Sequence, residues 1–137
     1  MKLAPSAFVA DSTLLHALEQ RAEPVDCIQD RVLFHQGDSP AGVYILRRGG
    51  ATLTMQSAAG GEVMRIQASP GSLLGLPGLI GNEPYSLTAV AQSGSEVSFV
   101  ARDDFSALLL AEPQMSFKVL EVLAAEVRTA RHAVFDI

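Results

Sequence analysis

The residues best suited to holding a small ligand lie together between Gly71 and Ala91, in the segment GSLLGLPGLIGNEPYSLTAVA. This segment combines glycines, prolines and hydroxyl side chains, and it separates two stretches that have the pattern of strands. Glycine lets the backbone approach a bound group closely, and free N–H groups at the start of a short helix attract an anion. We therefore expect the chain to leave a sheet here, form a short helical turn and return as a strand that faces a ligand. The segment lacks the charges that an anion site normally adds.

The histidines and the cysteine argue against an enzyme. His16 falls in a first helix, His35 in a turn and His132 near the end of the chain, which is too scattered for the histidine cluster of a cupin-type metal enzyme. Cys27 is the single cysteine, so no internal disulfide or multi-cysteine metal site can form. No Ser-His-acid or Cys-His arrangement has a recognisable local signature. We expect no catalytic residues and no metal ligands.

Composition limits the remaining classes. The chain has 137 residues, of which 48% are hydrophobic and 18% charged, as in one globular domain. Its net charge of −5 opposes the phosphate neutralisation that nucleic acid binding needs. No apolar run approaches the roughly 20 residues of a membrane span, and the N-terminus lacks the hydrophobic core of a signal peptide. We expect a cytoplasmic protein that contacts neither membrane nor DNA.

The pattern predicts a short helix followed by many short strands. Asp11 or Ser12 caps a helix over residues 12–22, which must end before Pro24. From residue 25 to residue 101, β-rich runs alternate with Gly-rich turns. Seven or eight short strands at this spacing indicate an antiparallel β-roll or jelly roll. The fold class is therefore mainly β with flanking helices.

Individual strands follow from their alternation. Val25, Cys27 and Ile28 form the first predicted strand. Later in the chain, Val97, Phe99 and Ala101 alternate with Glu96 and Ser98, which predicts a last clear strand.

Residues 102–134 have the pattern of a hinge followed by a long helix. Pro113 ends one helix and starts the next, and no helix breaker occurs from Gln114 to about Ala133. The apolar stripe of this helix either packs on the sheet or forms a seam between two chains, and we favour a parallel homodimer. The predicted seam consists of Val119, Leu123, Val127, Ala130 and Val134, flanked by Glu121, Glu126, Arg128 and Arg131.

The run VLFHQGDSPAGVYILRRGGATL, residues 32–53, resembles the second and third strands of the cyclic nucleotide-binding domain of CRP/FNR regulators, cyclic-nucleotide-dependent kinases and gated channels. Gly37-Asp38, the apolar strand from Val43 to Leu46, and Gly49 before a strand carry the resemblance. The order of elements also fits, from about Leu14 to Ala133. The resemblance implies one domain over residues 1–137: an N-terminal helix, a β-roll, and a hinge with a dimerisation helix.

In that family, the segment that corresponds to residues 71–91 is the phosphate-binding cassette, with a Glu for the ribose and an Arg for the cyclic phosphate. Here Leu74-Gly75 matches its start, Leu76 stands where the Glu is expected, and Tyr85 stands where the Arg is expected. A shift of one residue places Pro84 or Ser86 there instead, so no register supplies an arginine. Losing both partners weakens cyclic nucleotide binding by roughly three orders of magnitude.

The resemblance therefore implies a sensor domain whose pocket is not tuned to cAMP or cGMP. The pocket either accepts another small effector or has been filled by Leu76 and its neighbours, which leaves a scaffold that dimerises or contacts a partner. A haem sensor is a further alternative, with His35, Cys27 or the terminal His132 as an axial ligand. The chain is either a sensor domain of a longer regulator or free-standing, and the start at Met1 favours the second. The candidate ligand-binding residues are Leu74, Gly75, Leu76, Tyr85, Ser86, Leu87 and Thr88.

Overall fold

Two antiparallel sheets and four helices form the protein in a computed structural model that describes the backbone of residues 8–135 and the side chains of residues 8–127. The elements in chain order are α1 (Ser12–Glu19), β1 (Glu23–Val25), β2 (Arg31–Phe34), β3 (Gly42–Arg48), β4 (Ala51–Gln56), β5 (Glu62–Ala68), β6 (Ser72–Leu74), α2 (Leu76–Gly81), β7 (Thr88–Ala91), β8 (Glu96–Ala101), α3 (Arg102–Ala111) and α4 (Met115–Phe135). This arrangement confirms the predicted roll of eight short strands with flanking helices. None of the helices within these described residues is long and apolar enough to cross a membrane.

The strands form two four-stranded sheets that face each other. The first sheet has the order β1-β8-β3-β6 and the second has the order β2-β7-β4-β5, with every pairing antiparallel. Apolar side chains from both sheets meet in an inner core, which includes Leu33, Leu46, Leu53, Ile66 and Leu74. The period-2 alternation of strands such as β4 produces this core, because Ala51 and Leu53 point inward while Thr52 and Thr54 are half-exposed.

The helices cover the other face of the first sheet and form a second, helix-facing core. Val43, Ile45 and Leu73 contribute to it from the sheet. The helices contribute Leu14, Leu18, Leu76, Leu79, Phe105, Leu108, Met115, Val119 and Val122. The first sheet is thus buried on both faces.

This double burial is visible in β8, which confirms the predicted strand. Val97 lies in the inner core, while Ser98 is 5% exposed and Val100 is fully buried on the opposite face. The helices cover that face. Periodicity within one strand cannot show that cover, because it depends on elements elsewhere in the chain.

The first helix and the first strand differ from their predicted bounds. Asp11 caps α1 by accepting hydrogen bonds from the backbone N–H groups of Thr13 and Leu14, but α1 ends at Glu19, three residues earlier than predicted. The strand β1 then begins at Glu23 and contains Pro24, which an edge strand tolerates because its N–H is not needed in the ladder.

The residues after β1 leave the sheet earlier than the alternation indicated. The Asp26 carboxylate accepts a hydrogen bond from the N–H of Ile28, and this local turn competes with strand pairing. Ile28, which was predicted in the strand, is 80% exposed, whereas Cys27 is buried in the inner core.

The long helix α4 faces its own domain through part of the predicted seam. Val119 is 3% exposed and packs in the helix-facing core, and Leu123 packs partly against the same core. The predicted role of Val119 in a seam between chains is therefore wrong. Val127 is 57% exposed, and the side chains of Ala130 and Val134 lie outside the described residues.

The apolar residues that α4 leaves in water form a different stripe. Phe117 and Leu120 are 73% and 57% exposed, and Ala124 and Val127 continue along the helix. Their spacing of three, four and three residues is that of a coiled-coil seam. We call Phe117, Leu120, Ala124 and Val127 the apolar stripe; of these, Val127 also belongs to the predicted seam.

Candidate functional site

A cavity of about 190 Å³ opens between the two sheets, next to the cassette and α4. Its walls come mainly from the inner core, and the exposed residues Pro77 and Ser86 lie at its mouth. The residues around it are Phe8, Phe34, Leu53, Met55, Met64, Ile66, Leu74, Gly75, Pro77, Gly78, Tyr85, Ser86, Leu87 and Glu126. The inner core is therefore incompletely filled, and the cassette borders the unfilled part.

Gly75 shapes the cassette side of the cavity. It precedes α2 with a φ of 91°, a left-handed conformation that side chains other than glycine rarely adopt. A Cβ atom at this position would lie 2.8 Å from the Tyr85 ring. Because the backbone turns here, Leu74 lies in the inner core and borders the cavity, while Leu76 is fully buried in the helix-facing core.

The position of Leu76 tests the alternative that Leu76 and its neighbours fill the pocket. Leu76 belongs to the helix-facing core and is not among the residues that line the cavity. The residue at the expected glutamate position therefore does not occlude the space between the sheets.

Tyr85 occupies the expected arginine position as a packed ring with satisfied hydrogen bonds. The side chain is 4% exposed, and its ring stacks on Phe34 with centroids 4.0 Å apart. The hydroxyl donates to the carbonyl oxygen of Gly42 at 2.7 Å and accepts from the N–H of Ala41 at 3.2 Å. Its ring lines the cavity, while its polar end ties the cassette to the start of β3.

The other predicted site residues divide into two groups. Ser86 and Leu87 line the cavity. The Thr88 hydroxyl instead accepts a hydrogen bond from the N–H of Gln36 at 2.9 Å, and Thr88 is not among the lining residues. The structure thus brings five of the seven candidates to the cavity, namely Leu74, Gly75, Tyr85, Ser86 and Leu87.

Glu126 is the functional candidate that sequence reasoning placed elsewhere. It was expected to flank a seam between chains, yet it borders the cavity. Both of its carboxyl oxygens are buried, and no residue described by the structure forms a hydrogen bond with them. Burial in this apolar setting raises the pKa of Glu126 from its ordinary 4.5 to about 8. The side chain is therefore mostly protonated at neutral pH.

No cationic side chain balances Glu126 in the part of the cavity wall that the structure describes. The lining contains no Lys, Arg or His. Arg65 on the neighbouring β5 is exposed and pairs with Glu62 at 2.8 Å. The described cavity wall is thus apolar with one acidic group, whereas a phosphate site presents cationic or N–H donor groups.

The haem alternative finds no axial ligand in this cavity among the described side chains. His35 is exposed, Cys27 is buried in the inner core, and neither lines the cavity. The side chain of His132 lies outside the described residues. In the searched part of the chain, no group of three or more His, Cys, Asp or Glu residues could hold a metal ion.

Comparison with known families decides the family of this chain. A sequence model of the cyclic nucleotide-binding domain matches residues 27–112, which is more than half of the 137 residues. The chain belongs to this family. The match spans β2 to β8 and therefore includes the cassette and most of the cavity wall.

Proteins of Thermus thermophilus are similar to this domain in sequence and in structure. The cyclic AMP receptor protein of Thermus thermophilus is 28% identical over 102 residues, which are 74% of this chain and 47% of that protein. The chain thus spans about half the length of this curated relative. The crystal structure of the Thermus thermophilus catabolite activator protein superposes with a TM-score of 0.79 at 23% identity, over 96% of this chain and 62% of that chain.

A third relative shares the fold at lower identity. The structure of oxidized CprK in complex with o-chlorophenolacetic acid superposes with a TM-score of 0.76 at 16% identity, over 95% of this chain and 53% of that chain. The cyclic nucleotide-binding roll is therefore common to these proteins, while the groups that line the cavity must be judged from this chain itself.

Replacing Gly75 by alanine tests the close packing of the cassette on Tyr85. Gly75 and Gly60 have nearly the same φ, 91° and 90°, but no atom lies within 4 Å of a Cβ built at Gly60. We expect Gly60→Ala to lower the free energy of unfolding by about 1 kcal/mol through backbone strain alone. Gly75→Ala should cost about 1–3 kcal/mol more, because the Tyr85 ring must move. Urea unfolding measures both, and equal costs would contradict the packing.

Replacing Glu126 by glutamine tests the buried carboxyl through the pH dependence of stability. The folded pKa of about 8 exceeds the ordinary 4.5, so the folded state binds more protons, and stability falls as pH rises towards 8. Between pH 6 and pH 9 we expect the wild type to lose about 2–3 kcal/mol more than Glu126→Gln, at about 1.36 kcal/mol per pKa unit.

The matched control for this experiment is Glu121→Gln, which removes an exposed carboxylate from the same helix. Its free energy of unfolding, measured with urea, should change with pH as in the wild type. If the free energy of unfolding of Glu126→Gln also changes with pH as in the wild type, the carboxyl is not buried in the folded protein.

Proposed function

We propose that this chain is a regulatory sensor domain of the cyclic nucleotide-binding family whose effector is a small, largely apolar molecule and not cAMP or cGMP. The observation that carries this proposal is the cavity wall, which has an unpaired buried carboxyl and no basic side chain among its described residues. The domain regulates and does not catalyse, and it acts in the cytoplasm.

Charge argues against a cyclic nucleotide. A charge-assisted contact to a phosphate contributes about 1.5–3 kcal/mol, and burying a phosphate without such a partner costs more still. Tyr85 cannot substitute for that partner, because its hydroxyl is already bonded to Gly42 and Ala41. Glu126 would add repulsion whenever it is ionised.

The volume of the cavity also argues against a cyclic nucleotide. Pockets for drug-sized ligands measure about 300–1,000 Å³, whereas this cavity measures about 190 Å³. An apolar cavity of about 150 Å³ is known to hold benzene. The space beside Tyr85 therefore suits a molecule with a single ring. CprK, which shares the fold, forms a complex with o-chlorophenolacetic acid, so proteins with this roll bind single-ring molecules as well as nucleotides.

The long helix supplies the output of the sensor in this proposal. Glu126 borders the cavity, and the neighbouring Val127 belongs to the apolar stripe of Phe117, Leu120, Ala124 and Val127. An exposed apolar stripe with coiled-coil spacing favours a second copy of the same helix. We infer that two chains associate through this stripe and that an effector alters their arrangement. The acidic balance of the chain supports no direct role in DNA binding.

Toluene and cyclic nucleotides test the effector class. We expect buffer saturated with toluene to shift the amide signals of Gly75, Gly78 and Ser86 in NMR spectra, because a single apolar ring fits the cavity. cAMP and cGMP should leave these signals unchanged up to about 1 mM. A Kd above about 1 mM corresponds to a binding free energy weaker than about 4 kcal/mol.

A pair of leucine variants controls for non-specific effects. Leu53→Phe fills the cavity and should abolish the response to toluene, whereas Leu110→Phe makes the same change at a side chain that is 83% exposed and should preserve it. Shifts of the cavity signals by cAMP or cGMP at micromolar concentration would overturn the proposed effector class.

Analytical ultracentrifugation tests the apolar stripe. We expect a mass near twice 14.5 kDa for the wild type and a shift to the monomer for Leu120→Glu, because a charge would be buried in the seam. Leu110→Glu is the matched control on α3, and it should leave the dimer intact. A Leu120→Glu protein that remains dimeric would show that another surface joins the chains.

A further inference from the structure

The Glu126 carboxyl lies at the cavity with both oxygens buried and without a hydrogen-bond partner among the described residues. Resting on the proposed effector cavity, we propose that the effector is an organic cation: an apolar body the size of one ring, with one protonated nitrogen group that pairs with Glu126. This ligand class has the opposite charge to a cyclic phosphate.

The groups that face Glu126 support a cation. Apolar side chains face the cavity from β2, β4, β5 and β6, and they include Phe34, Leu53, Ile66 and Leu74. The cassette contributes Gly75, Pro77, Gly78, Ser86 and Leu87, none of which is charged, and Phe8 completes the described wall.

The remaining titratable group in the described wall is the Tyr85 hydroxyl. It donates its proton to the Gly42 carbonyl oxygen at 2.7 Å, so it is not directed to a ligand. A charged group that enters this space therefore meets one acidic partner and no basic one among the described side chains. Because a buried charge requires a partner of opposite sign, the wall selects for a cation and against an anion.

The volume and the lining of the cavity limit the size and the polarity of the rest of the ligand. At about 190 Å³, the cavity has room for one six-membered ring with a short polar group, judged against about 150 Å³ for benzene alone. The Phe34 and Tyr85 rings, stacked at 4.0 Å, form one wall. Aromatic faces attract both apolar rings and cationic groups. A planar amidinium or a primary ammonium on a single ring satisfies these conditions.

Proton release distinguishes a cation from a neutral ligand. Without a ligand, burial raises the pKa of Glu126 to about 8, so the carboxyl is mostly protonated at pH 7. Pairing with a cation favours the carboxylate, and binding at pH 7 then releases a proton from most molecules. The affinity for a cation should rise close to tenfold per pH unit below pH 8 and level off above it. A neutral ligand that accepts a hydrogen bond from the protonated carboxyl would bind more weakly as pH rises.

Benzamidine, benzamide and benzoate provide probes of nearly equal shape and of positive, zero and negative charge. Isothermal titration of the full chain at pH 8 should show benzamidine binding at least tenfold tighter than benzamide, with benzoate the weakest of the three. Titration at pH 7 in buffers of different ionisation enthalpy should show net proton release with benzamidine and none with benzamide.

Two glutamine variants assign the effect to one side chain. Glu126→Gln should reduce the preference for benzamidine over benzamide to less than about twofold and remove its pH dependence, while the response to toluene remains. Glu121→Gln, on the exposed face of the same helix, should behave like the wild type.

The outcomes separate this inference from the proposed function. Tighter binding of benzamide or benzoate than of benzamidine, with toluene still bound, overturns the cationic effector and leaves the effector cavity in place. A benzamidine preference that survives in Glu126→Gln also overturns the assignment. Loss of response to toluene and to all three probes in the wild type overturns both the inference and the proposed function.

Discussion

The left-handed turn at Gly75 is the constraint on which the site depends. Leu73 and Leu76 lie in the helix-facing core, while Leu74 between them lies in the inner core. Strand alternation separates Leu73 from Leu74, and the turn at Gly75 returns Leu76 to the helical side. A φ of 91° and the approach of the Tyr85 ring to within 2.8 Å of a Cβ position exclude an unstrained side chain at this residue. One short segment is therefore anchored in both cores and borders the cavity.

The long helix α4 likewise contacts both the helix-facing core and the cavity. Val119 and Val122 hold it in the helix-facing core, and Glu126 reaches the cavity one turn later. The apolar stripe runs along the side of α4 that its own domain leaves in water. A ligand that interacts differently with two positions of this helix shifts the balance between them by that difference in free energy. The proposed coupling needs no relay of side chains, because the group proposed to meet the ligand and the surface proposed to meet a second chain belong to one helix.

Sequence periodicity predicted the roll, the interruption of the sheet within residues 71–91, and the long last helix, because these features depend on local alternation, on Gly and Pro, and on the absence of breakers. It placed Val119 in a seam between chains, whereas Val119 packs in the helix-facing core. The stripe that starts at Val119 and the stripe that starts at Phe117 are both apolar, so spacing alone cannot decide which one the domain covers. Glu126 was predicted to flank that seam, since charged residues commonly border the apolar stripe of a coiled coil. Only the packing of α4 against the roll shows that its carboxyl is buried.

Under the proposed function, Glu126 and Tyr85 together account for a cyclic nucleotide-binding roll that has a cavity but no phosphate site. Tyr85 replaces the expected cation with a ring that stacks on Phe34 and a hydroxyl that bonds to backbone, so the cassette is held without a ligand. That substitution removes the need for an anion in the folded state. Glu126 has the opposite effect, because a buried carboxyl without a partner lowers stability by about 1–3 kcal/mol even when protonated. Stability alone would favour an apolar side chain at this position. A buried group that costs stability and borders a cavity is accounted for by the proposed ligand, which would complete its hydrogen bonds.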